Sequence, residues 1–592
     1  MTDRLDRWDG YAKRSADGRP RVILDLMECE NGVFRMDGSL ESYEKELPGG
    51  LKILVNGKKY AYVTKPGVVR RGCVPGAEAK TGGTEDTDLQ ECSTVVKRAS
   101  FALEIPVSEL CRKNTVRFRL EKASGQEQEL SIVTSDYQAK LTSALRYSWW
   151  SFSAFMAVFS WKDREATGIM IEKTGRAARM AREMRLLKEI LTAPYGSRQM
   201  FVVRCVYWLA APVCSGKNIW LTFDKLYKGG DCGEYFYKYL EDHRPAGVVP
   251  VYVIRKDSGD YARLVREGYH PSPYRTVGQR LSYLYASMVF ATHSGVPSFG
   301  GFNKWEIRYV QDRLRAVNTC IQHGLSVQDL TYDSNRLVNN NKRYYCASGY
   351  EIENLSKPSY DYGKDVLRLT GIPRYDGLVN RDKKQILIAP TWRSYVAMPS
   401  VMGSSRAYNP EFVHTEYYRI YQGLLENRML RETAQRCGYR ILYLLHPALD
   451  AQKKDFHGDD AVKIASSLEI SYEQALTESS LMVTDYSGVQ FDFAYMRKPV
   501  VYFHSPGLPP HYEEGGFFYD TQGFGEICTQ EDELVQTICD YMESGCALKP
   551  FYRARQDDFF AFDDHENCRR ICEDAFAFQK EHGVRKRSED SD

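Results

Sequence analysis

The sequence predicts an α/β protein of two Rossmann-type, doubly wound domains facing each other across a cleft, preceded by a small β-sandwich and a helical linker. Three observations carry this. Two successive series of apolar strand-like runs alternate with helical segments, as in parallel sheets covered on both faces. Short runs divided by turn dipeptides fill the front of the chain. Between the two patterns lies a Trp/Phe-rich stretch followed by basic helix. The 592 residues allow about four units at ~150 residues each.

The front module, 1–140, contains RVILDLMECENG, GLKILVNGKKYAYVTKPG, FALEIPVSEL, NTVRFRLEKASGQ and ELSIVTSD. Asn31-Gly32 and Asn56-Gly57 are hairpin dipeptides, and strands at this spacing argue for an antiparallel sandwich. GAEAKTGGTEDTDLQE at 76–91 reads as a polar loop within it. The linker, 141–215, opens with YSWWSFSAFMAVFSW, fifteen uncharged residues. A bilayer span takes about 20 apolar residues, so this run is too short and too polar to cross. Met180, Met184, Leu187 and Leu191 then recur at helical spacing with Arg182 and Arg185 opposite, and 161–205 holds ten Lys/Arg against five Asp/Glu. Such a segment suits an anionic membrane surface. An ordinary helix packed on its own domain shows the same amphipathicity, and both readings stand.

The first α/β unit, 216–380, runs through NIWLTFD, VVPVYVIR, SMVFATHS, VNTCIQHG, RYYCAS and VLRLTGIP. The second, 381–548, runs through QILIAPTWR, YRILYLLHP, AVKIAS, LMVTDYSG and PVVYFH. Residues 549–592 form a C-terminal helix and a loose tail, VRKRSEDSD.

Composition excludes several classes. Hydrophobic residues make 43% and charged residues 27%, which suits a soluble globular chain. Lys+Arg 80 against Asp+Glu 78 is too balanced for a nucleic-acid binder. Fifteen cysteines form no CxxC pair and read as reduced thiols. Cys568 and Cys572, four apart on a helix, lack partners for a zinc set and read as packing residues. The opening MTDRLDRWDGYAKRSADGRP has no apolar signal region, so a cytoplasmic product is expected. No GxxxxGK[ST], GxGxxG after a strand, GxSxG or HExxH occurs, and nothing calls for a metal or a cofactor.

Ligands of open α/β sheets bind beyond the carboxyl ends of the strands, and polar motifs end the strands here. They are His293, His323-Gly324, Gly371-Ile372-Pro373-Arg374, Thr391-Trp392-Arg393, His446-Pro447 and Asp485-Tyr486-Ser487-Gly488, with Asp492 in the next helix. A strand ending in TDYSG before a helix offers amides and a hydroxyl to an anion such as a diphosphate; Asp485 or Ser487 can instead simply cap that helix. His323 can take a proton from a hydroxyl at neutral pH, and the plainer reading of His323 and His446 is a hydrogen-bonded structural histidine. Arg374 and Arg393 suit bidentate phosphate contact, or else a salt bridge at a domain edge.

QHG, TGIPRYD, APTWR, HP and TDYSGVQFDFAYMRKPVVYF, in that order over roughly 216–545, resemble the CDP-glycerol glycerophosphotransferase family, the polymerases and primases of wall teichoic acid and related capsular polymers. The resemblance implies a GT-B-type fold. It also implies transfer of glycerol phosphate from CDP-glycerol to a hydroxyl of a lipid-linked glycerol-phosphate or polymer acceptor, with release of CMP at the inner face of the membrane. By position, His323 would be the base on the acceptor hydroxyl and His446 would meet the donor diphosphate. Asp485, Ser487 and Gly488 would cradle that diphosphate, Arg374 and Arg393 would steady phosphate charge, and Thr391 and Asp492 would lie on the donor side. Three positions depart from the family: Gly488 stands where a second Ser is frequent, Gln322 where Trp is, and His293 where an acidic residue is. CDP-ribitol as donor, a nucleotide-sugar glycosyltransferase and an inactive membrane-surface assembly module are the competing readings. Homo-oligomerisation stays open.

Overall fold

The computed structural model describes residues 20–583, apart from 43–49, 66–96, 122–124, 135–149, 153, 163–164, 193–197, 294–298, 304–305, 331–333, 337–339, 403–404, 467 and 510–514. The loop expected at 76–91 and the tail at 584–592 therefore lie outside the described residues, as do the first residues of the Trp/Phe-rich run.

Twelve strands, β1–β12, fall between Arg21 and Lys173 and form one mostly antiparallel ladder. A sandwich of separate sheets was expected, but here a single sheet folds over on itself. Phe101 and Phe118, on strands far apart in the ladder, bring their rings to 5.6 Å.

The linker boundary is corrected. The Trp/Phe-rich run is strand, Trp150–Phe152 and Phe155–Lys162, and with Glu165–Lys173 it completes the ladder. Its unbroken apolarity has a physical cause, because the strand is buried on both faces. Phe155 and Ala157 enter the core of the β module, while Met156 and Val158 pack with Leu186, Ile190, Met200 and Val203 of the following helices. The helical part is confined to α1 (Arg176–Thr192) and α2 (Arg198–Cys214). Arg204, fully buried on α2, bridges Glu183 of α1 and Asp312 of the next domain and ties this hairpin down.

The first α/β domain carries β13 (Asn218–Phe223), β14 (Val248–Ile254), β15 (Ser272–Pro273), β16 (Ala286–Ala291), β17 (Val317–Cys320), β18 (Arg343–Cys346) and β19 (Leu367–Leu369). All pair in parallel, in the order β15-β14-β13-β16-β17-β18-β19. Helix α3 (Cys232–His243) follows β13. The second domain carries β20 (Gln385–Ile388), a small hairpin β21–β22 (Ser400–Met402 and Ser405–Arg406), β23 (Arg440–Leu445), β24 (Val462–Ser466), β25 (Ser479–Thr484), β26 (Val500–Phe503) and β27 (Gly525–Cys528). Apart from the hairpin these are parallel, ordered β24-β23-β20-β25-β26-β27. Helix α4 (Val489–Tyr495) follows β25. Counted within its own sheet, the second domain runs 3-2-1-4-5-6, the Rossmann order, and the first runs the same with a seventh strand added at the β19 edge, with topological switch points at β13/β16 and β20/β25.

The chain then crosses back. After α5 (Pro550–Phe559), α6 (Asn567–Glu581) packs on the first domain. Asp376 caps its start through the amides of Asn567 and Cys568, and Asp574 pairs with Arg343 and Arg368 at 3.1 Å each. Cys568 and Cys572 are buried in that packing, as their helical spacing suggested. The β module braces the same domain through Glu28 to Lys342 (2.6 Å) and Asp37 to Arg336 (3.1 Å).

Candidate functional site

The two switch points open onto one cleft, and the carboxyl ends of β13, β16, β17 and β19 meet α4 of the second domain there. Asp231, the N-cap of α3, accepts from the amide of Cys232 and from Arg374 (2.9 Å) through Oδ1, and its Oδ2 meets Nδ1 of His323. Arg374 also donates to the carbonyl oxygen of His323 and, across the cleft, to both oxygens of Asp492 on α4 (Nη2 at 2.9 Å). The structure thus gathers His323, Arg374 and Asp492 from three distant motifs and adds Asp231.

Electrostatics follow from the packing. Burial alone would raise Asp231, but His323, by its charge when protonated and by its hydrogen bond, and the charge of Arg374 hold it well below the usual carboxylate range. An ionised Asp231 accepts Nδ1–H of His323, so the lone pair lies on Nε2. The His323 side chain is 50% exposed against 14% for Asp231, so the base atom can reach a substrate while its orienting partner stays dry. Gln322, at the family's Trp position, is buried with φ +59° and donates to the carbonyl of Tyr345 (2.6 Å), which sets the turn that presents His323. Beyond Gly324 the space is open.

His293 stacks on His323 with ring centroids 4.5 Å apart. Burial, reinforced by the neighbouring imidazole, pushes it down to about 3 and keeps it neutral. Thr292 Oγ1 donates to the carbonyl of Phe223 and is 2.7 Å from Nδ1 of His293, so that nitrogen carries the hydrogen. Its Nε2 is then a buried acceptor with no hydrogen-bond partner among the described residues.

The second switch point is built differently. Arg393 is 1% exposed and Asp485 0%, and they pair at 2.8 Å. Asp485 also accepts from the amides of Thr391 and Tyr486, while Arg393 donates to the carbonyls of Thr391, Leu508 and Pro509. The pair therefore locks the loops after β20, β25 and β26 together. Arg374 is likewise largely occupied by Asp231, Asp492 and a carbonyl, so it positions the site rather than standing free for an anion. Asp492, buried on α4, serves as its partner. Neither Asp485 nor Ser487 caps α4: its N-cap, Gly488, has no side-chain cap, with Gly488 exposed and Ser487 half-buried at the cleft. Thr391 is buried, and among the described residues its hydroxyl has no hydrogen-bond partner.

His446 ends β23, and its Nδ1 accepts from the amide of Ala448 at 3.2 Å. The hydrogen then resides on Nε2, the opposite tautomer to His323. One imidazole offers a lone pair and the other an N–H. Trp392 stacks on His446 at 6.0 Å and lies under Arg406 at 4.7 Å.

Sequence reasoning missed Asp231, Asp224, Lys225 and Asp450. The signal was present: FDKLYKGGD directly follows the first strand of the first series. Among the described residues no cluster of His, Cys, Asp or Glu forms a metal site, and no helix is long and apolar enough to cross a membrane.

Two Rossmann sheets meet through the Arg374–Asp492 pair, and in open α/β sheets ligands bind at such switch points. The chain belongs to the CDP-glycerol:poly(glycerophosphate) glycerophosphotransferase family, whose model matches residues 208–577. It is 28% identical over 528 residues to the minor teichoic acid biosynthesis protein GgaB of Bacillus subtilis, covering 88% of this chain and 57% of that protein. It is also 28% identical over 246 residues to the teichoic acid glycerol-phosphate transferase of Staphylococcus aureus, covering 37% of this chain and 56% of that one. The chain thus spans little more than half the length of these two relatives. Among solved structures, the wall teichoic acid polymerase TagF is similar at 15% identity with a TM-score of 0.46, over 69% of this chain and 99% of that one.

Proposed function

We propose that the chain transfers glycerol phosphate from CDP-glycerol to a hydroxyl of a lipid-linked glycerol-phosphate or polymer acceptor, releasing CMP, with its two domains in a GT-B-like pairing. The observation that carries this is a pair of histidines at the ends of strands in facing domains, one with Nδ1 against the Asp231 carboxylate and the other with Nδ1 against the Ala448 amide, which leaves a lone pair on Nε2 of His323 and an N–H on Nε2 of His446. His323 Nε2 takes the proton of the acceptor hydroxyl as its oxygen attacks the β-phosphorus. The bond from that phosphorus to the CMP oxygen breaks, and Asp231 offsets the charge gained by the imidazole. His446 Nε2–H, with the uncapped start of α4 at Ser487 and Gly488, meets the negative oxygens of the donor. In-line displacement of this kind draws on positioning and charge stabilisation and requires no covalent enzyme intermediate.

The setting is a membrane surface. On α1 and α2, Met180, Met184, Leu191, Val202, Trp208, Leu209 and Val213 are exposed although the opposite faces are buried. Arg176, Arg185, Lys188 and Arg198 lie exposed among them. Apolar side chains bordered by cations suit an anionic bilayer at the inner face of the membrane.

The deciding experiment is CMP release with CDP-glycerol and a glycerol-phosphate-primed lipid analogue, with CDP-ribitol and UDP-sugars in parallel. Acceptor-dependent CMP from CDP-glycerol is expected. No CMP from it, with a UDP-sugar consumed instead, would place the chain among glycosyltransferases.

A further inference from the structure

Arg374 and Arg393 are held by carboxylates, so the charge of a substrate phosphate must be met by other cations. Lys225 stands in the loop after β13, on a tight turn in which the amide of Lys228 donates to the carbonyl of Lys225 at 3.0 Å. It is half-buried, and among the described residues its ammonium has no ion pair and no hydrogen bond. Burial pushes this ammonium down, against the pull of Asp231 and Asp224. Both of those carboxylates are satisfied elsewhere. Asp224 accepts from the amides of Asp231, Gly233 and Glu234 and from the hydroxyl of Tyr252. Asp231 accepts from Cys232, Arg374 and His323. A cation withdrawn from water without a contact partner is stabilised by any anion that arrives. Lys225 is also within electrostatic reach of His293, which stacks on His323, so that anion would sit next to the proposed base. Lys228, three residues on, faces the other wall, its ammonium 5.6 Å from the ring of Tyr472.

We propose that Lys225 is a phosphate-binding residue of the cleft, its ammonium taking a phosphate oxygen of the substrate at the carboxyl end of β13. The proposal rests on the phosphotransferase reading and names a cation for it. Two sources offer the same chemistry: the diphosphate of the donor and the phosphodiester next to the terminal glycerol of the acceptor.

Calorimetric titration of the full chain separates them, with CDP-glycerol in one arm and glycerophosphoglycerol, a phosphodiester of two glycerols, in the other. Lys225→Met keeps the apolar stem and removes the charge, and should weaken at least one arm about tenfold to a hundredfold, the usual range for a hydrogen bond to a charged group. Lys225→Arg should bind within a few-fold of wild type. The weakened arm identifies the source. Unchanged binding of both probes by a folded Lys225→Met protein, or by Lys225→Gln if the first does not fold, overturns the proposal alone. A wild-type chain that binds neither probe overturns the phosphotransferase reading as well.

Discussion

Asp231→Asn tests the proposed base most sharply, because the replacement keeps the shape of the side chain while removing its charge and turning the acceptor that faces His323 into a donor. Oδ1 becomes the amide oxygen and can still accept from Cys232 and from Arg374, both under 3 Å away. Asn is as good an N-cap as Asp, so α3 keeps its start. On the other side a carboxylate oxygen becomes an N–H donor facing Nδ1 of His323. The imidazole must then accept at Nδ1, which moves its hydrogen to Nε2 and removes the lone pair that would take the acceptor proton. General-base catalysis contributes about 10²–10⁴-fold, so kcat for CMP release should fall by that order with KM for the donor nearly unchanged. The stability loss should stay within about 1–3 kcal/mol, since Arg374 keeps Asp492. Acceptor-dependent CMP release, alongside urea unfolding of the same preparation, measures both. A folded variant that retains kcat within threefold would refute the assignment of His323 as base through this tautomer.

Arg393→Met leaves the Asp485 carboxylate buried and unpaired, which should destabilise the fold by about 3–5 kcal/mol in urea unfolding. Normal stability with a raised KM for the donor would return Arg393 to the phosphate. Burial, with Glu469 adding to it and Lys228 opposing, pushes Asp450 up to about 6 from an ordinary 3.8, and its Oδ1 has no hydrogen bond. A carboxyl raised on folding favours the native state at low pH and loses that stability as pH rises from about 4 through 6. Asp450→Asn should therefore be more stable than wild type at pH 7.5, by about 1 kcal/mol after solvent screening, with the gain vanishing near pH 4. An offset that does not change with pH contradicts this. Met184→Asp with Leu209→Asp should release the protein from phosphatidylglycerol vesicles, and unchanged sedimentation with them would remove the membrane reading.

Much of the fold was legible because parallel strands buried on both faces read as apolar runs whatever their neighbours are. The same rule produced the main error. Phe155–Val158 is apolar because the β module covers one face and the α1–α2 hairpin the other, and a sequence shows burial without showing by what. Within the site, residue types at strand ends were readable, but their partners were not. Arg393 and Asp485 are 92 residues apart and Arg374 and Asp492 are 118 apart. Only the fold decides whether such an arginine meets a carboxylate or a substrate. Asp231 escaped notice because a GGD before a helix looks like a plain cap, and it is one. Its second oxygen does the additional work.

That double use bears on how the cleft is assembled. The carboxylate that caps α3 also holds His323 and Arg374, and Arg374 in turn grips the carbonyl of His323 and Asp492 of the facing domain. The base is thus anchored twice, through its ring to the first domain and through its backbone, by way of Arg374, to the second. Moving the domains apart would break the Arg374–Asp492 pair and give both charges to water. The geometry of the proposed base and the contact between domains are therefore one equilibrium. A substitution at Asp492, on α4 of the facing domain, should disturb proton transfer as surely as one at Asp231.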